Sequence, residues 1–527
     1  MSNFGGLIQS VGASWMMTSL VGSPQMVALV QTSTTLPFML LALLAGAVAD
    51  NLDRRKVMLA AQGFMLCVSV TLTLFAWQGW LTPWLLLSFT FLVGCGTAMN
   101  GPAWQASVGD MVPRDQLPGA VALNSMGFNM ARSVGPAIGG AIVAAAGAAS
   151  AFLINAVSYF GLIFVLLRWQ KPATPRLLPH EGLLVAMGAG VRYVAMSPLL
   201  RIVMARGMAF GLTANAVPAL MPLVTRDLVH GGPMTYGLLL GAFGVGAVLG
   251  GLSTGRLRRR YSTEAMIRLA SLCLATATGA TALSPYVALT IMALMLAGAS
   301  WVVALSTFNI TVQLASPRWV VARALSIYQM TTFGGMALGA WMLGLVADYH
   351  GVAVGLLIAA AIQICVMTAG FLLPLQQVED LNLDPLAQWT EPETAVPLEL
   401  RSGPVVITIE YRIESHNIVA FLGAMTERRR IRRRDGARGW TLLRDLQEPE
   451  LWIERYHVAT WLDYIRHNQR RTHADAENST ALYQLRKDGE QFRVRRMIER
   501  QTGSLPSARR NDPTLIGDPM TDPARST

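Results

Sequence analysis

The strongest constraint in this sequence is an internal repeat, because residues 1–375 contain one pattern twice, about 204 residues apart. The matching positions are Gly46 and Gly251, with an offset of 205 (251 − 46), and Pro113 and Pro317, Gly135 and Gly339, and Gly140 and Gly344, each with an offset of 204. These separate landmarks keep one register to within a residue. A repeat of this length in an apolar chain is typical of a membrane protein built from two related halves.

Composition supports the same class. The 527 residues are 53% hydrophobic and 14% charged, with a mean hydropathy of +0.42, which is too apolar for a soluble domain. Residues 1–375 hold 19 Lys and Arg against 8 Asp and Glu, which leaves 23 of each sign (42 − 19 and 31 − 8) in residues 376–527. The net charge of +11 therefore belongs to the apolar part. There it indicates cytoplasmic loops, and we predict no nucleic-acid partner.

Twelve apolar segments are long enough to cross a lipid bilayer. They are residues 3–20, 25–49, 57–79, 84–104, 118–146, 151–168, 199–224, 234–254, 264–282, 286–314, 324–347 and 351–374. The first is short for a span, so we expect either a clipped first helix or a misassigned start. We predict an all-α polytopic membrane protein with six helices in each half.

Basic residues occupy alternate connections between these segments. They lie at residues 54–56, 168–176 and 256–260, whereas the connections at 21–24, 79–83, 147–150 and 284–286 have none. Since basic loops stay in the cytoplasm, both termini are predicted to be cytoplasmic, in the inner membrane of a bacterium. The four cysteines (Cys67, Cys95, Cys273 and Cys365) lie in apolar segments without paired spacing, so we predict no disulfide framework, metal site or cofactor.

The composition changes after the second half. We predict a first half at residues 1–168, a cytoplasmic connection at 169–198, a second half at 199–375, a linker at 376–403, a soluble domain at 404–500 and a disordered tail at 501–527. Alternation from Val405 to Ile413 predicts a strand, and helical spacing from His416 to Arg434 predicts a helix. Further strands near 438–445, 450–457 and 491–499 and a helix near 459–484 complete a βαββαβ order, which is typical of a ferredoxin-like unit.

A charged motif, residues 46–56, follows the second segment and is named here the gating loop. It contains Gly46, Asp50, Arg54 and Arg55, and it resembles the signature loop of the major facilitator superfamily. A small residue permits close helix packing, and an Asp at the membrane edge can pair with a helix N-terminus or an Arg of the other half. Asn51 and Asp53 depart from the superfamily pattern. The second copy retains Gly251 and Arg256 but has Gly255 where Asp50 stands, so gating is expected to be one-sided.

The fifth segment contains a run of small residues, named here the helix-five motif: Gly135, Pro136, Gly139 and Gly140. It resembles the antiporter signature of exporters in the superfamily. A face poor in side chains would let another helix slide during alternating access, whereas ordinary small-residue packing is the alternative.

Longer stretches narrow the resemblance. Residues 101–136, with Ala304-Leu305-Ser306-Thr307 and Ala322-Arg323-Ala324-Leu325, are similar to the branch that contains the enterobactin exporter and related transmembrane secretion effectors. This resemblance covers residues 3–375. It implies export of a small organic molecule, driven by an ion gradient.

Polar residues inside predicted spans are candidates for the substrate path. Arg132 and Arg206 are the first of these, because a charge there is costly and usually faces a cavity or a partner. They would bind an anionic or phenolate substrate, or else donate to helix carbonyls. The further candidates are Gln105, Asn124, Asn129, Asn309, Gln313 and Gln329.

The sequence gives only indirect information on the energy source of transport. None of the eight carboxylates in residues 1–375 lies deep in a predicted span, so proton coupling is implied by the superfamily, with Asp50 and Asp110 as candidates. The three lysines (Lys56, Lys171 and Lys487) lack the preceding glycine of a phosphate-binding loop, so we predict no ATP hydrolysis by that route.

The sequence of the soluble domain leaves several roles open. Its six arginines between Arg428 and Arg434 would either contact anionic lipid or a partner, or form a solvated helix face balanced by acids. Its element order resembles the antibiotic-biosynthesis-monooxygenase-like dimeric α/β barrels, which implies His457 or His467 for any oxidation. A dimerising or regulatory domain is favoured over an enzyme.

The sequence therefore predicts an ion-coupled exporter of a siderophore-like molecule, another secondary metabolite or a drug. It would be embedded in the lipid bilayer and work by alternating access. The proton would be its coupling ion. The alternatives are a transporter whose soluble domain oxidises the molecule, and a transport-inactive interaction protein that dimerises through that domain.

Overall fold

The computed structural model describes residues 2–21, 23–111, 117–169, 183–317, 319–375, 389–486 and 492–499, with the isolated positions 383 and 386. Backbone alone is described for residues 2, 3, 50, 51, 105, 106, 108–111, 117–126, 128–130, 132, 133, 183, 184 and 186. The chain divides into two compact units. Unit 1 comprises residues 1–187, 198–313 and 322–377, and unit 2 comprises residues 188–197, 314–321 and 378–527.

The first half of unit 1 consists of long apolar helices. These are α1 (Ser2–Leu20), α2 (Pro24–Asn51), α3 (Arg54–Trp77), α4 (Pro83–Met111) and α5 (Leu117–Arg168). Helix α5 covers the fifth and sixth predicted segments and turns sharply at Gly147, whose φ of 78° and ψ of 172° suit a residue without a Cβ.

The second half repeats this arrangement. After α6 (Leu183–Met196) come α7 (Pro198–Ala214), α8 (Ala216–Leu223), a π-helical turn at Val224–Leu228, α9 (Pro233–Arg260), α10 (Thr263–Leu283), α11 (Val287–Leu314), α12 (Val321–His350) and α13 (Val352–Leu372). Gly351, between α12 and α13, has a φ of 90° and a ψ of 158°. It lies 204 residues after Gly147 (351 − 147), so the repeat extends to the backbone conformation of equivalent turns.

The predicted class, a helical membrane protein with a small α+β domain, is confirmed. Within the described residues, ten helical ranges are long and apolar enough to cross a membrane, against the twelve predicted segments. One difference arises because the fifth and sixth segments form the single range Val134–Arg168. The other is α1, which carries hydroxyl and amide side chains along its length and is not among the ten.

The predicted connection at 169–198 contains a helix that the sequence reading missed. Helix α6 occupies Leu183–Met196, while residues 170–182 lie outside the described part of the chain. Its 14 residues are apolar but too few for a span, which explains why the stretch was read as a linker. The predicted disordered tail at 501–527 and the linker residues 376–382 also lie outside the described residues.

Unit 2 contains a four-stranded antiparallel sheet. Its strands are β1 (Val405–Arg412), β2 (Arg438–Arg444), β3 (Leu451–Val458) and β4 (Arg493–Ile498), in the spatial order β2-β3-β1-β4. Helix α14 (Ile418–Arg434) follows β1, and α15 (Trp461–Gln469) and α16 (His473–Gln484) follow β3. The predicted helix near 459–484 is thus two helices, the second opened by a capping box at Thr472 and Asp475. This order is compatible with a ferredoxin-like unit.

The core of unit 2 follows from the alternation that predicted β1. Ile407, Ile409 and Tyr411 are buried on one face of the sheet, where Phe421 of α14 and Tyr464 of α15 pack against them. Polar residues of β1 such as Glu410 are less buried, and Glu410 pairs with Arg495 of β4 at 3.2 Å.

Two short segments of the chain also belong to unit 2. Tyr193 of α6 packs edge-on against Trp319, with ring centroids 5.6 Å apart. The guanidinium of Arg434 lies 5.1 Å from the Tyr193 ring, and Arg430 donates to the carbonyl of Met196 at 3.2 Å. Arg470 stacks on Trp319 at 4.2 Å. The soluble domain is therefore packed around residues 188–197 and 314–321.

Candidate functional site

The gating loop is built from helix ends. Helix α2 ends at Asn51, and the carboxylate of Asp53 accepts a hydrogen bond from the backbone N–H of Arg55 at 2.9 Å, which caps the start of α3. This cap gives a local reason for an Asp where the superfamily pattern has glycine. The side chain of Asp50 lies outside the described atoms, so its gating role stays a prediction.

The gating-loop arginines bind carbonyl groups within the first half. Arg55 donates from Nε to Leu166 and from a terminal nitrogen to Leu167, both at 2.7 Å, at the last turn of α5. Arg54 donates to the carbonyl of Ala49 at 3.4 Å. Cations at a helix C-terminus donate hydrogen bonds to its unpaired carbonyls and interact favourably with the negative end of the helix dipole. Both arginines therefore stabilise the end of a predicted span.

The glycines of the gating loop and its repeat differ in their surroundings. A Cβ added to Gly46 would lie 3.0 Å from Ser326 Oγ of α12, so this glycine marks an approach between the two halves. Gly251 is exposed, and its nearest neighbour would be Val302 at 3.7 Å. Arg256 is also exposed. The two copies therefore differ in their surroundings, while one-sided gating stays a prediction.

The helix-five motif lies where α5 meets a helix of the second half. A Cβ on Gly140 would lie 2.6 Å from Gly237 Cα of α9, and a Cβ on Gly237 would lie 2.7 Å from Gly140 Cα. The carbonyl of Pro136 is 2.9 Å from that second position. Real Cβ atoms do not approach so closely, so only glycine at both positions allows the two backbones to touch.

The other motif glycines face the first helix. A Cβ on Gly135 would lie 3.2 Å from Leu7, and one on Gly139 would lie 3.2 Å from Ile8 and Val11. One face of α5 therefore contacts α1 and α9 together.

The repeat places an equivalent contact on the opposite side of the bundle. Gly344, the counterpart of Gly140, faces α2, where an added Cβ would lie 2.5 Å from Ala28 Cβ. Phe38 and Phe333 stack with centroids 4.9 Å apart, and Thr32 donates to the carbonyl of Ala337 at 3.1 Å. Helices α5 and α9, and α12 and α2, thus form two related contacts between the halves.

A cavity of about 390 Å³ lies between α11 and α12 in unit 1. Its lining consists of Leu305, Ser306, Asn309, Ile310, Tyr328, Gln329, Thr332, Phe333 and Met336. Two predicted path residues, Asn309 and Gln329, are in this lining. Gln313 is not, but its side-chain amide donates to Asn309 Oδ1 at 2.5 Å. The volume is within the usual range for organic ligands. None of the described lining residues is an acid, a lysine or an arginine.

Arg206 is buried among charged partners. Its guanidinium donates to Glu264 Oε2 of α10, and the same oxygen accepts from the Leu375 backbone N–H at 2.9 Å. The other oxygen, Glu264 Oε1, accepts from Arg268 at 2.7 Å. Arg206 also donates to the Leu373 carbonyl at 3.3 Å. These contacts account for a buried cation without a substrate. Its role in the substrate path stays a prediction, as do those of Arg132, Asn124, Asn129 and Gln105, whose side chains are outside the description.

Two buried polar clusters were missed by the sequence reading. Asn155 donates to Gln9 and to Tyr159, the second at 3.0 Å, and Ser69 donates to Gln9 at 3.1 Å. In the second half, Thr213 donates to Gln363. Thr213 and Gln363 occupy the positions of the second half that are equivalent to Gln9 and Tyr159, 204 residues later. The repeat offset was therefore the signal that could have found these positions.

The arginines of α14 form the predicted solvated face only in part, although acids of the domain do balance them. Arg428, Arg432 and Arg434 are buried. Arg432 donates to Glu454 at 3.2 Å, and Arg434 pairs with Asp475 and with the adjacent Asp435, both at 2.9 Å. The acids lie up to 41 residues away along the chain, so the sequence did not reveal the pairing. Arg429 and Arg433 are exposed.

The two histidines predicted for an oxidation, His457 and His467, lie in the soluble domain of unit 2. His467 is buried, with Nε2 2.7 Å from a terminal nitrogen of Arg432, and His457 pairs in β3 beside Gly439. Burial, and then the charge of Arg432, lower the pKa of His467 well below its usual range. His467 is therefore neutral in the folded domain near neutral pH.

This neutral histidine predicts a pH dependence. The unfolded chain binds a proton at His467 below about pH 6.5 and the folded domain does not, so unit 2 loses stability progressively as the pH falls below that value. Hydrogen exchange of β1 in the full-length protein, compared between wild type and His467→Gln at pH 7.5 and 5.5, measures it. Wild type should lose more protection than the variant on acidification. Equal losses would contradict the assignment.

The glycine contacts between two repeated halves and the cavity between α11 and α12, whose described lining is uncharged, are features expected of a membrane transporter of small molecules. The chain belongs to the transmembrane secretion effector family of the major facilitator superfamily, whose family model matches residues 1–502. It is therefore an integral membrane protein.

Curated relatives cover most of the membrane part. The chain is 25% identical to the multidrug efflux pump Tap of Mycolicibacterium fortuitum over 354 residues, which covers 65% of this chain and 86% of the relative. It is 28% identical to the enterobactin exporter of Shigella boydii over 309 residues, covering 57% and 72%. It is 22% identical to the staphyloferrin A transporter of Staphylococcus aureus over 268 residues, covering 51% and 67%.

Solved structures show the same fold at low identity. The nucleoside transporter NupG matches with a TM-score of 0.56 and 14% identity, over 71% of this chain and 98% of that chain. A bacterial homologue of the human lysosomal transporter Spinster, in an inward-facing and unoccupied conformation, matches with a TM-score of 0.57 and 14% identity, over 70% and 93%. These likenesses concern the fold alone.

Proposed function

We propose that this protein is a secondary active exporter that carries a small organic molecule out of the bacterial cytoplasm by alternating access. The observation that carries the proposal is the reciprocal contact of Gly140 and Gly237, which joins the two halves without side chains between them. Such a surface lets one helix bundle rock against the other. The relatives named as an efflux pump and an enterobactin exporter support the outward direction.

The cavity supports the chemical class of the substrate. Its lining combines amide and hydroxyl groups at Asn309, Gln329 and Thr332 with apolar surface at Ile310 and Phe333. An amphipathic organic molecule, such as a siderophore, another secondary metabolite or a drug, satisfies both kinds of group. An anionic substrate would require a cation from outside this described lining, for which Arg132 is the candidate.

Orientation and coupling are part of the same proposal. Both termini lie in the cytoplasm of a bacterium with the protein in its inner membrane, and the alternate basic connections support this orientation. The coupling ion is the proton, with Asp50 and Asp110 as candidate carriers. The soluble domain then lies in the cytoplasm, where it dimerises or regulates.

Asn309→Leu tests the cavity directly, because it removes the central amide and adds apolar bulk. We compare the metabolites of medium and cells, by mass spectrometry, for a deletion host that carries wild type, Asn309→Leu or Thr276→Leu, in iron-replete and iron-starved growth. Thr276 is exposed on α10 and serves as the matched control. The expected result is a metabolite exported by wild type and Thr276→Leu but retained at least about tenfold more by Asn309→Leu and the deletion host.

Two outcomes would count against the proposal. If no metabolite shifts between cells and medium in any strain, export of a native small molecule is wrong, and the interaction-protein alternative is favoured. If a protonophore leaves the export unchanged while removal of sodium stops it, the coupling ion is not the proton.

A further inference from the structure

A second cavity, within the soluble domain of unit 2, has a composition unlike that of the cavity in unit 1. It has a volume of about 180 Å³ and lies between the sheet and helices α14, α15 and α16. Four arginines line it: Arg428, Arg432, Arg471 and Arg496. No carboxylate is among its described lining residues. Aromatic side chains form half of the remaining wall: Trp389, Tyr411, Tyr456, Tyr464, Tyr483 and Phe492.

Two of these arginines, Arg428 and Arg471, are only partly neutralised by carboxylates. Arg428 and Arg471 both donate to one neutral oxygen, Ser479 Oγ, at 3.0 Å and 2.8 Å. Arg428 is only 8% exposed, and its Nε, 3.7 Å from the Glu454 carboxylate, makes no hydrogen bond. By contrast, Arg432 is bound by Glu454 and His467.

The electrostatics of this pair favour an added negative charge. Burial, and then the charges of Arg428 and Arg432, lower the pKa of the Arg471 guanidinium. Nearby carboxylates neutralise this pair only in part, because Glu454 is also bound by Arg432 and Asp475 is also bound by Arg434. Buried cations with too few counterions are costly, and a carboxylate accepting from both Arg428 and Arg471 would reduce that cost. The planar forks of two arginines match the two oxygens of a carboxylate.

The rest of the cavity suits one aromatic ring. Tyr411 and Phe492 lie edge to face with centroids 4.7 Å apart, and Tyr483 lies 4.6 Å from Phe492. Apolar rings provide little to hold a small inorganic anion but pack well against another ring. A volume of 180 Å³ is close to the roughly 150 Å³ of an engineered protein cavity that binds benzene.

We propose that this cavity binds a small carboxylic acid with a single aromatic ring. The carboxylate lies between Arg428 and Arg471, and the ring packs against Tyr411 and Phe492. The soluble domain is thereby a ligand-binding domain in its own right. This assignment depends only on unit 2 and holds whether or not the membrane part exports the same compound.

Isothermal titration of purified full-length protein with benzoate tests the site. Benzyl alcohol keeps the ring without the charge, and acetate keeps the charge without the ring. We expect both to bind at least about tenfold more weakly than benzoate, since each loses one of the two kinds of contact. Acetate or benzyl alcohol binding as tightly as benzoate would overturn the proposal.

Two variants locate the site. Arg471→Gln should weaken benzoate binding at least about tenfold, while Arg429→Gln, an exposed arginine on α14, should leave it unchanged. Ser479→Asp places a carboxylate within the chain between the two arginines. It should abolish benzoate binding while preserving or increasing the hydrogen-exchange protection of β1, so a loss of binding by unfolding is distinguishable. Benzoate binding unchanged in either Arg471→Gln or Ser479→Asp would show that the ligand does not occupy this cavity.

Discussion

Gly140→Ala is expected to reduce export at least about tenfold. The added Cβ would lie 2.6 Å from Gly237 Cα and 2.8 Å from the Pro233 carbonyl, so helix α9 has to move away from α5. Overpacking of this kind costs about 1–3 kcal/mol, and here it falls on the contact that joins the two halves. The metabolite assay described above measures the effect, with the protein in the membrane quantified in each strain.

Matched glycines separate this effect from a general loss of helix flexibility. Gly279→Ala in α10 adds the same methyl group where nothing lies within 4 Å, and it should export like wild type. Gly237→Ala should reproduce the defect from the other side of the contact. Normal export by Gly140→Ala, at normal protein levels, would remove the helix contact from the mechanism.

Glu454→Ala is expected to unfold the soluble domain. Glu454 is fully buried and accepts from Tyr411 at 2.6 Å, from Trp440 at 3.0 Å and from Arg432 at 3.2 Å. Its removal leaves buried arginine charge unpaired, at a cost of about 3–5 kcal/mol, which is comparable with the whole stability of a small domain. Hydrogen exchange of β1 and β3 in full-length protein should change from protected to nearly unprotected.

Two further variants define the cause. Glu448→Ala removes an exposed partner of Arg412 and should change protection little.

Glu454→Gln keeps the shape of the side chain and removes its charge. Burial raises the pKa of Glu454, but the charges of Arg432 and Arg428 outweigh it and lower the pKa overall. The advantage of wild type over Glu454→Gln should therefore be present above the ordinary glutamate range and be lost as the pH falls through the lowered pKa. Full protection in Glu454→Ala would contradict the network as the source of stability.

Much of the membrane fold was predictable because hydropathy and glycine positions report on local structure. The repeat register, for example, predicts equivalent turns, and Gly147 and Gly351 have nearly the same backbone conformation. Helix α6 was missed because its apolar residues are too few for a span and follow a polar stretch. Its partners, such as Trp319, lie far along the chain.

The sites were less predictable because their partners are distant in sequence. Arg206 was recognised as a costly buried charge, but the contact with Glu264, 58 residues away, is a property of the folded chain. The same holds for Arg434 and Asp475, and for Gln9 and Asn155. Polar pairs of this kind are specified by packing between helices, so the local sequence around either partner does not reveal the other.

The two halves also record which positions tolerated divergence after a gene duplication. Gly140 and Gly344 are still identical, and each is pressed against a neighbouring helix. Asp50 and its counterpart Gly255 differ, and around Gly255 nothing lies within 4 Å of an added Cβ. Crowding thus accounts for the glycine at both Gly140 and Gly344, whereas the position of Gly255 has room for a side chain. Comparison of one half with the other thus separates steric constraint from functional choice within a single gene.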